Sequence, residues 1–248
     1  MRLKSLSKTI GALTLVLGNS LAQADEVRVA VAANFTAAMK EIVANFEKAH
    51  GHHAVVSFGS TGKLYTQIKH GAPFEVFLAA DQQRPKLLEE ENAASRRFTY
   101  AIGKLVLWSS NPKQPTGEPA LRDGDFNKLA IANPKTAPYG AAAVEVMQNL
   151  GLYETLKPKL VIGDSITQAY QFVATGNAKL GFVALAQIAL DDSGSRWQVP
   201  DKLYTPIRQD AVLLNKGKDN LAAQALLDYL RSDAAQAVIR KYGYGTKD

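Results

Sequence analysis

The feature that most constrains this chain is a repeated alternation of strand-like apolar runs with segments of helical periodicity. The run VRVAVAA at 27–33 is typical of a buried strand, and the apolar residues after it recur at helical spacing as far as Phe46. Strands that alternate with helices predict an α/β fold with doubly wound parallel sheets. Further strands are predicted at 54–58, 75–80, 101–110, 128–134, 159–164, 179–185 and 210–215, and further helices near 64–68, 87–91, 141–150, 167–175 and 221–241.

Four predicted strand-to-helix turns have a composition suited to an anion. In α/β sheets, ligands bind beyond the carboxyl ends of the strands, where the helices begin. Helix N-termini offer free N–H groups and a partial positive charge, so they can hold an anion without a cationic side chain. The same residue types also cap ordinary helices, so a single turn of this kind does not establish a ligand. The four turns are AANFT at 32–36, GSTG at 59–62, APYG at 137–140 and GDSIT at 163–167.

The stretch SFGSTGKL at 57–64 looks like a nucleotide-binding loop but does not have the required spacing. A P-loop has four residues between its two glycines and a Ser or Thr after the Lys. Here two residues separate Gly59 from Gly62, and Leu64 follows Lys63. The sequence therefore excludes this nucleotide site and leaves a free oxyanion or a plain helix cap.

The first 24 residues have the pattern of a secretory signal. Basic residues precede the short apolar core IGALTLVLG, and the small residues Ala22 and Ala24 precede a predicted cleavage site. An apolar stretch of this length is too short to span a bilayer, which needs about 20 residues. We therefore expect residues 1–24 to be a signal peptide, cleavage after Ala24, and an exported soluble product.

Charge and cysteine content exclude several functional classes. The formal charge of +6 includes three cations of the signal segment, so the mature chain carries +3, which does not favour nucleic acid as a partner. The chain has no cysteine, which excludes disulfides, thiol catalysis and thiolate metal sites.

Two segments of the sequence raise the alternative of an enzyme. The HGHH segment, with His50, His52 and His53, could hold Zn²⁺ or Cu²⁺ in a periplasmic metalloenzyme. The HExxH spacing is absent, however, and imidazoles are also favoured at a helix end by the helix dipole. GSTG also differs from the GxSxG elbow of serine hydrolases. We expect no enzyme activity.

The order of several motifs resembles that of periplasmic molybdate-binding proteins, the solute receptors of molybdate ABC transporters. The resemblance covers essentially the whole mature chain. It rests on the segments VAANFTAAM, VSFGSTGKL, GAPFEVFLAAD, IANPKTAPYGAAAVE, LGFVAL and YLRSDAAQAVIRKYGYG.

The resemblance implies a two-lobed periplasmic-binding-protein fold of type II-like architecture, with the ligand in the cleft between the lobes. It places 25–107 plus 206–248 in lobe 1 and 108–205 in lobe 2. It also implies a periplasmic monomer that binds molybdate or tungstate without a cofactor and delivers it to an inner-membrane ABC permease. No nucleic-acid partner is expected.

The resemblance also assigns the binding residues. Uncharged hydrogen-bond donors would contact the anion, so the molybdenum would be held through its oxygens. Gly59 and Gly62 would allow close backbone approach, and Lys63 would point into solvent. The expected ligand-binding residues are Asn34, Ser60, Thr61, and the backbone amides of Tyr139 and Ile166.

One donor of the family pattern is missing. Some relatives carry a Tyr hydroxyl where this chain has Ala184, so the Tyr139 hydroxyl or Asn34 is a candidate replacement. A receptor for another oxyanion such as sulfate stays open as an alternative, because cavity size is not visible in a sequence. Phosphate and ferric receptors fit less well: apart from Asp164 the turns lack a carboxylate, and they lack the clustered Tyr, His or carboxylates of ferric sites.

Overall fold

The computed structural model describes residues 25–246, so the expected signal peptide lies outside the described residues. Within this range the strands form two separate five-stranded sheets. The strands are β1 (Glu26–Ala32), β2 (His53–Gly59), β3 (Val76–Leu78), β4 (Ala94–Gly103), β5 (Leu105–Ser109), β6 (Leu129–Ala132), β7 (Leu160–Gly163), β8 (Leu180–Ala184), β9 (Ser195–Gln198) and β10 (Ile207–Leu214).

Helices follow most of the strands, as the alternating pattern predicts. The first is preceded directly by a 3₁₀ turn at Ala33–Phe35, buries its apolar face and ends at Gly51, whose φ of 71° is in the left-handed region that favours glycine. The α-helices are α1 (Thr36–His50), α2 (Thr61–Lys69), α3 (Gln83–Glu90), α4 (Glu118–Asp123), α5 (Pro138–Asn149), α6 (Tyr153–Leu156), α7 (Ile166–Ala174), α8 (Leu221–Leu230) and α9 (Asp233–Lys241).

Each sheet combines parallel and antiparallel pairs. The first sheet has the order β2-β1-β3-β10-β4, and the second has the order β7-β6-β8-β5-β9. In the first, β1 is parallel to β2 and β3, whereas β10 is antiparallel to both of its neighbours. In the second, β6 is parallel to β7 and β8, whereas β5 is antiparallel to β8 and β9. The expected parallel pairing therefore holds for β1, β2 and β3 and for β6, β7 and β8, but the sheets as wholes are mixed.

The chain crosses between the sheets twice. β4 ends at Gly103 in the first sheet and β5 begins at Leu105 in the second. The single strand predicted at 101–110 was therefore wrong, because a continuous apolar run does not show that its two ends pair in different sheets. Residues 105–107 lie in the second sheet, although the sequence placed them in lobe 1. The chain returns to the first sheet between β9 and β10.

The C-terminal segment belongs to the first lobe but is two helices rather than one. α8 and α9 pack against α1 and share the apolar core over the first sheet. Ser232 lies between them and caps α9 by accepting the Ala235 N–H at 3.3 Å. The long helix predicted at 221–241 was therefore wrong, because its helical periodicity continues across the break.

Separate apolar cores support the two lobes. Residues of α5, β6 and β8 form the main core of the second lobe, which includes Ile131, Val146 and Phe182. Among the helices of the described residues, none is both long enough and apolar enough to cross a membrane.

Candidate functional site

Turns from both lobes enclose one small cavity. They follow β1 and β2 in the first lobe and β6 and β7 in the second, and Ala80, two residues after β3, adds to the wall. The cavity is small, with a volume of about 10 Å³, and its wall in the described part of the chain has no charged side chain. All five residues predicted as ligand contacts line it: Asn34, Ser60, Thr61, Tyr139 and Ile166.

The Ser60 hydroxyl is buried in this wall without a hydrogen-bond partner. Ser60 is 4% exposed, and its Oγ contacts no donor or acceptor among residues 25–246. It stands at the N-cap of α2, where a Ser side chain usually accepts an N–H of its own helix, yet that bond is not made. A buried polar group without a partner costs about 1–3 kcal/mol. The hydroxyl is therefore available to a molecule in the cavity.

The Ser and Asn N-caps of three other helices do bond to their helices. Ser165 accepts the Gln168 N–H of α7 at 3.4 Å, and Asn220 accepts the Ala222 N–H of α8 at 2.9 Å. Together with the Ser232 cap of α9, they show the ordinary arrangement. Ser60 departs from it at the cavity.

Thr61 is held in place by one hydrogen bond and retains a proton to donate. Its side chain is buried, and Oγ1 accepts the Ala80 N–H at 3.0 Å. Because the hydroxyl acts as an acceptor in this bond, its own proton remains available. Thr61 therefore links the turn after β2 to the end of β3 and can also donate toward the cavity.

Asn34 faces the cavity, but its side-chain donors are used inside the protein. Its Nδ2 donates to Gln209 Oε1 at 2.8 Å and to Tyr244 Oη at 3.0 Å. The Tyr244 hydroxyl in turn donates to the Asn34 carbonyl at 2.8 Å. The suggestion that the Asn34 side chain replaces the missing Tyr donor is therefore not supported, and what Asn34 offers is its backbone near the start of α1.

Tyr139 and Ile166 lie at the starts of α5 and α7. Pro138 is the first residue of α5 and has no N–H, so the Tyr139 amide is the first donor of that helix. Ile166 is the first residue of α7. The first N–H groups of a helix have no partner within it, so both amides suit an anion. The Tyr139 hydroxyl lies against Gly103 and accepts from Gln209 Nε2 at 3.2 Å. Neither of these residues lines the cavity, so this hydroxyl does not replace the missing donor either.

Direct contacts between the lobes surround the cavity. They join the first turn of α2 and the start of α3 to the turns before α5 and α7. Three of these contacts are Gly62 N–H to Thr136 O at 2.8 Å, Lys63 Nζ to Asp164 Oδ2 at 2.9 Å, and Arg84 Nη2 to Lys135 O at 3.2 Å.

Two expectations for the turn after β2 change in the light of these contacts. Lys63 was expected to point into solvent, but it forms an ion pair with Asp164 of the other lobe while remaining about half exposed. A Cβ atom on Gly62 would lie 3.0 Å from Thr136 Cα. The absence of a side chain at Gly62 therefore lets the second lobe approach.

A larger open pocket adjoins the cavity and shares part of its wall. The two have Ala80, Ala137 and Pro138 in common. Charged side chains line the larger pocket, and one of them, Arg84, pairs with Asp81. Because the buried hydroxyl of Ser60 lies in the smaller cavity, that cavity is the candidate site.

Comparison with known proteins agrees with this geometry. The model of the bacterial extracellular solute-binding protein family matches residues 27–245. The chain belongs to this family. It is 60% identical to the molybdate-binding protein ModA of Azotobacter vinelandii over 97% of this chain and 98% of that one. It is 56% identical to the molybdate-binding protein ModA of Rhodobacter capsulatus over 95% of each chain.

A solved structure shows the same architecture. The periplasmic molybdate-binding protein of Azotobacter vinelandii superposes with a TM-score of 0.86 at 38% identity, and covers 90% of this chain and 100% of that one. The two-lobed periplasmic-binding-protein fold predicted from the sequence is thereby confirmed. The relatives are solute-binding proteins, as the expected binding function requires.

The histidine-rich segment of this solute-binding protein has a structural explanation. His53 Nδ1 lies 2.7 Å from Glu47 Oε1, and the His50 ring stacks on Phe46 with ring centroids 5.1 Å apart. Among residues 25–246, no group of three or more His, Asp or Glu side chains is arranged to hold a metal ion. The metalloenzyme alternative has no support in this segment.

Sequence reasoning missed residues that support the site of this solute-binding protein from behind. Gln187 accepts the Ala184 N–H at 3.0 Å and donates to the Ile166 carbonyl at 3.2 Å, so it connects the end of β8 to the start of α7. Gln209 joins Asn34 to Tyr139. A Gln within an otherwise apolar strand could have marked Gln209 as a buried polar residue with a specific role. Its partners lie too far along the chain to be inferred from the sequence.

Proposed function

We propose that this protein binds molybdate in the cavity between its lobes and delivers it to the permease of an ABC transporter. The names of its relatives support molybdate as the ligand. The observation that carries the proposal is the hydroxyl of Ser60, a residue of the cavity wall, which is buried and has no hydrogen-bond partner among the described residues. A bound oxyanion would supply the missing acceptor.

The proposed donors are neutral and come from both lobes. Asn34 contributes its backbone, Ser60 and Thr61 contribute hydroxyls, and Tyr139 and Ile166 contribute amides at helix starts. Helix N-termini carry partial positive charge, which stabilises a dianion without a formal counter-charge. The molybdenum itself is held only through its oxygens.

Fixed neutral donors favour a dianion of one size. Tungstate is nearly the size of molybdate and should bind as well, whereas sulfate is smaller and would leave some donors too far away. Some relatives carry a Tyr hydroxyl at the position of Ala184. Ala184 does not line the cavity, so this position supplies no donor here. The proposal therefore rests on the four turns alone.

The setting of the protein is part of the same proposal. Residues 1–24 act as a signal peptide, cleavage follows Ala24, and the mature protein is a periplasmic monomer. Lobe 1 comprises about 25–104 plus 206–248 and lobe 2 the segment between, with the crossing placed where β4 gives way to β5. We assign no catalytic step and no cofactor to the site.

Calorimetric titration of the mature protein with four anions tests this function. We expect tight binding of molybdate and tungstate, and binding of sulfate that is at least ~100-fold weaker, a gap of about 2.7 kcal/mol. Phosphate should bind weakly, because its remaining proton needs an acceptor. Sulfate affinity equal to that of molybdate would overturn the molybdate assignment and leave an oxyanion receptor.

A further inference from the structure

Gln209 lies at the point where the chain crosses back into the first lobe, and it is completely buried. It is the third residue of β10, directly after the return from the second lobe. Its Oε1 accepts from Asn34 Nδ2 at 2.8 Å and from the Tyr100 hydroxyl at 3.0 Å. Its Nε2 donates to the Tyr139 hydroxyl at 3.2 Å. Gln209 thus bonds to residues of both lobes.

Two of these partners also form the wall of the anion cavity. Asn34 lies near the start of α1 in the first lobe, and Tyr139 near the start of α5 in the second. Both residues line the cavity, and the side chain of each bonds to Gln209. The side-chain amide of Gln209 therefore connects the two halves of the cavity wall.

The other crossing segment leaves space for this connection. A Cβ atom on Gly103 would lie 2.1 Å from Tyr139 Oη and 2.8 Å from Gln209 Nε2. Any side chain at Gly103 would displace the Tyr139 hydroxyl. The hydrogen bond between the lobes is thus held where both crossing segments meet.

The tyrosines of this network are neutral. Burial raises the pKa of Tyr139 and of Tyr100 well above the usual range, so both hydroxyls keep their protons. Tyr139 Oη can then accept from Gln209 without placing a charge next to the bound anion. The network adds no charge to the site.

We propose that Gln209 is a positioning residue for anion binding: its hydrogen bond to Tyr139 holds the second lobe closed over the cavity. The bond joins the lobes, so it favours the closed form, which the anion also favours. Its loss should weaken binding although neither group donates to the ligand. This inference rests on the proposed oxyanion function.

Matched removal of two hydroxyls tests the inference. Tyr139→Phe removes the hydroxyl that bonds Gln209 across the lobes. Tyr100→Phe removes one that bonds Gln209 Oε1 and the Ala79 carbonyl, all within the first lobe. We expect Tyr139→Phe to lower molybdate affinity about 3- to 10-fold, mainly through faster dissociation, as for one lost hydrogen bond. The melting temperature of its ligand-free form should change little.

Tyr100→Phe should give the opposite pattern, with a lower melting temperature and a molybdate affinity within about twofold of wild type. Gln209→Leu combined with Tyr139→Phe should weaken binding no more than Gln209→Leu alone, because both changes remove the same contact. The ratio of molybdate to sulfate affinity should stay constant in Tyr139→Phe, since the donors are unchanged.

The outcomes separate this inference from the function on which it rests. Suppose that wild-type protein binds molybdate and that Tyr139→Phe binds it equally well, or that the two Tyr variants lose the same affinity. Either result would overturn the role of Gln209 and leave the proposed function standing. Additive losses in the double variant would also overturn it. Wild-type protein that binds none of the four anions would overturn the proposed function and this inference together.

Discussion

At the scale of single residues, Ser60 and Ser232 occupy the same position of two helices but use their hydroxyls differently. Ser232 accepts an N–H of α9, whereas Ser60 leaves the N–H groups of α2 to other partners and keeps its oxygen at the cavity. The first serine stabilises its helix and the second does not. Substitution of each should therefore have opposite consequences.

We predict that Ser60→Ala lowers molybdate affinity roughly 10- to 100-fold, because a hydrogen bond to a charged group is worth about 1.5–3 kcal/mol. The melting temperature of the ligand-free protein should stay the same or rise, since a buried hydroxyl without a partner is removed. Calorimetry and thermal unfolding measure the two effects. Unchanged affinity would show that Ser60 is only a poor helix cap.

Ser232→Ala is the matched control. Loss of an N-cap Ser costs about 0.5–2 kcal/mol of stability. The melting temperature should therefore fall while molybdate affinity stays at the wild-type value, because Ser232 is not part of the cavity wall. Thr61 is a less suitable control, since its replacement would also leave the Ala80 N–H without an acceptor.

At this scale, the residues that line the candidate site were easier to predict from the sequence than the residues that hold them in place. Ser60, Thr61 and the starts of α5 and α7 follow strands whose carboxyl ends meet, which local pattern and the rules of α/β sheets make visible. Gln209 and Asn34 are 175 residues apart, and Tyr244 is 210 residues from Asn34. Nothing in the local sequence indicates such pairs, so the contacts of Gln209 and of the Asn34 side chain could not be predicted.

At the scale of elements, α2 is both a wall of the cavity and a contact surface for the second lobe. Its second residue, Gly62, donates to the Thr136 carbonyl of that lobe at 2.8 Å, and its third, Lys63, pairs with Asp164. The ion pair is exposed and contributes about 0–1 kcal/mol at most. The close approach at Gly62 is therefore the more restrictive contact.

We predict that Gly62→Ala weakens molybdate binding about 10-fold without destabilising the ligand-free protein. Ala is favoured over Gly in a helix by about 0.5–1 kcal/mol, so α2 itself should gain stability. In the arrangement of the lobes described here, however, the new methyl group would lie 3.0 Å from Thr136 Cα and press the lobes apart. Calorimetry of the variant beside its ligand-free melting temperature separates the two effects. Wild-type molybdate affinity in this variant would mean that the lobes can accommodate a methyl group at position 62.

Elements were predicted well where their periodicity ends at a clear signal, and poorly where it continues. α1 ends at His50 and is capped by Gly51, four residues beyond the predicted helical spacing, which runs as far as Phe46. The run at 101–110 is apolar throughout, so its division between β4 and β5 depends on partners that lie elsewhere in the chain. The position of β10 inside the first sheet likewise depends on the return crossing, which no local pattern reveals.

At the scale of the whole molecule, an anion held by both lobes should favour the closed form. Only a ligand with different affinity for the two forms can shift their equilibrium. The proposed donors are divided between the lobes, with Ser60 and Thr61 in the first and Tyr139 and Ile166 in the second. Binding and closure should therefore occur together.

We predict that molybdate reduces the radius of gyration and stabilises the protein against heat. The stabilisation should grow with the logarithm of molybdate concentration and reach about 2.7 kcal/mol at 100 times Kd. Small-angle scattering and thermal unfolding with and without molybdate measure both effects. Tight binding with an unchanged scattering profile would contradict closure on binding.

The uncharged wall of the cavity determines how ligand binding changes the net charge of the protein. The described wall has no charged side chain, and burial keeps the pKa of Tyr139 so high that this hydroxyl stays protonated, so no side chain there releases or takes up a proton to compensate a bound dianion. Residues 25–248, with a formal charge of +3, would then carry +1 with a dianion bound. Empty and loaded receptors are thus different ionic species, which an ion-exchange column would separate and a charged membrane surface would attract unequally.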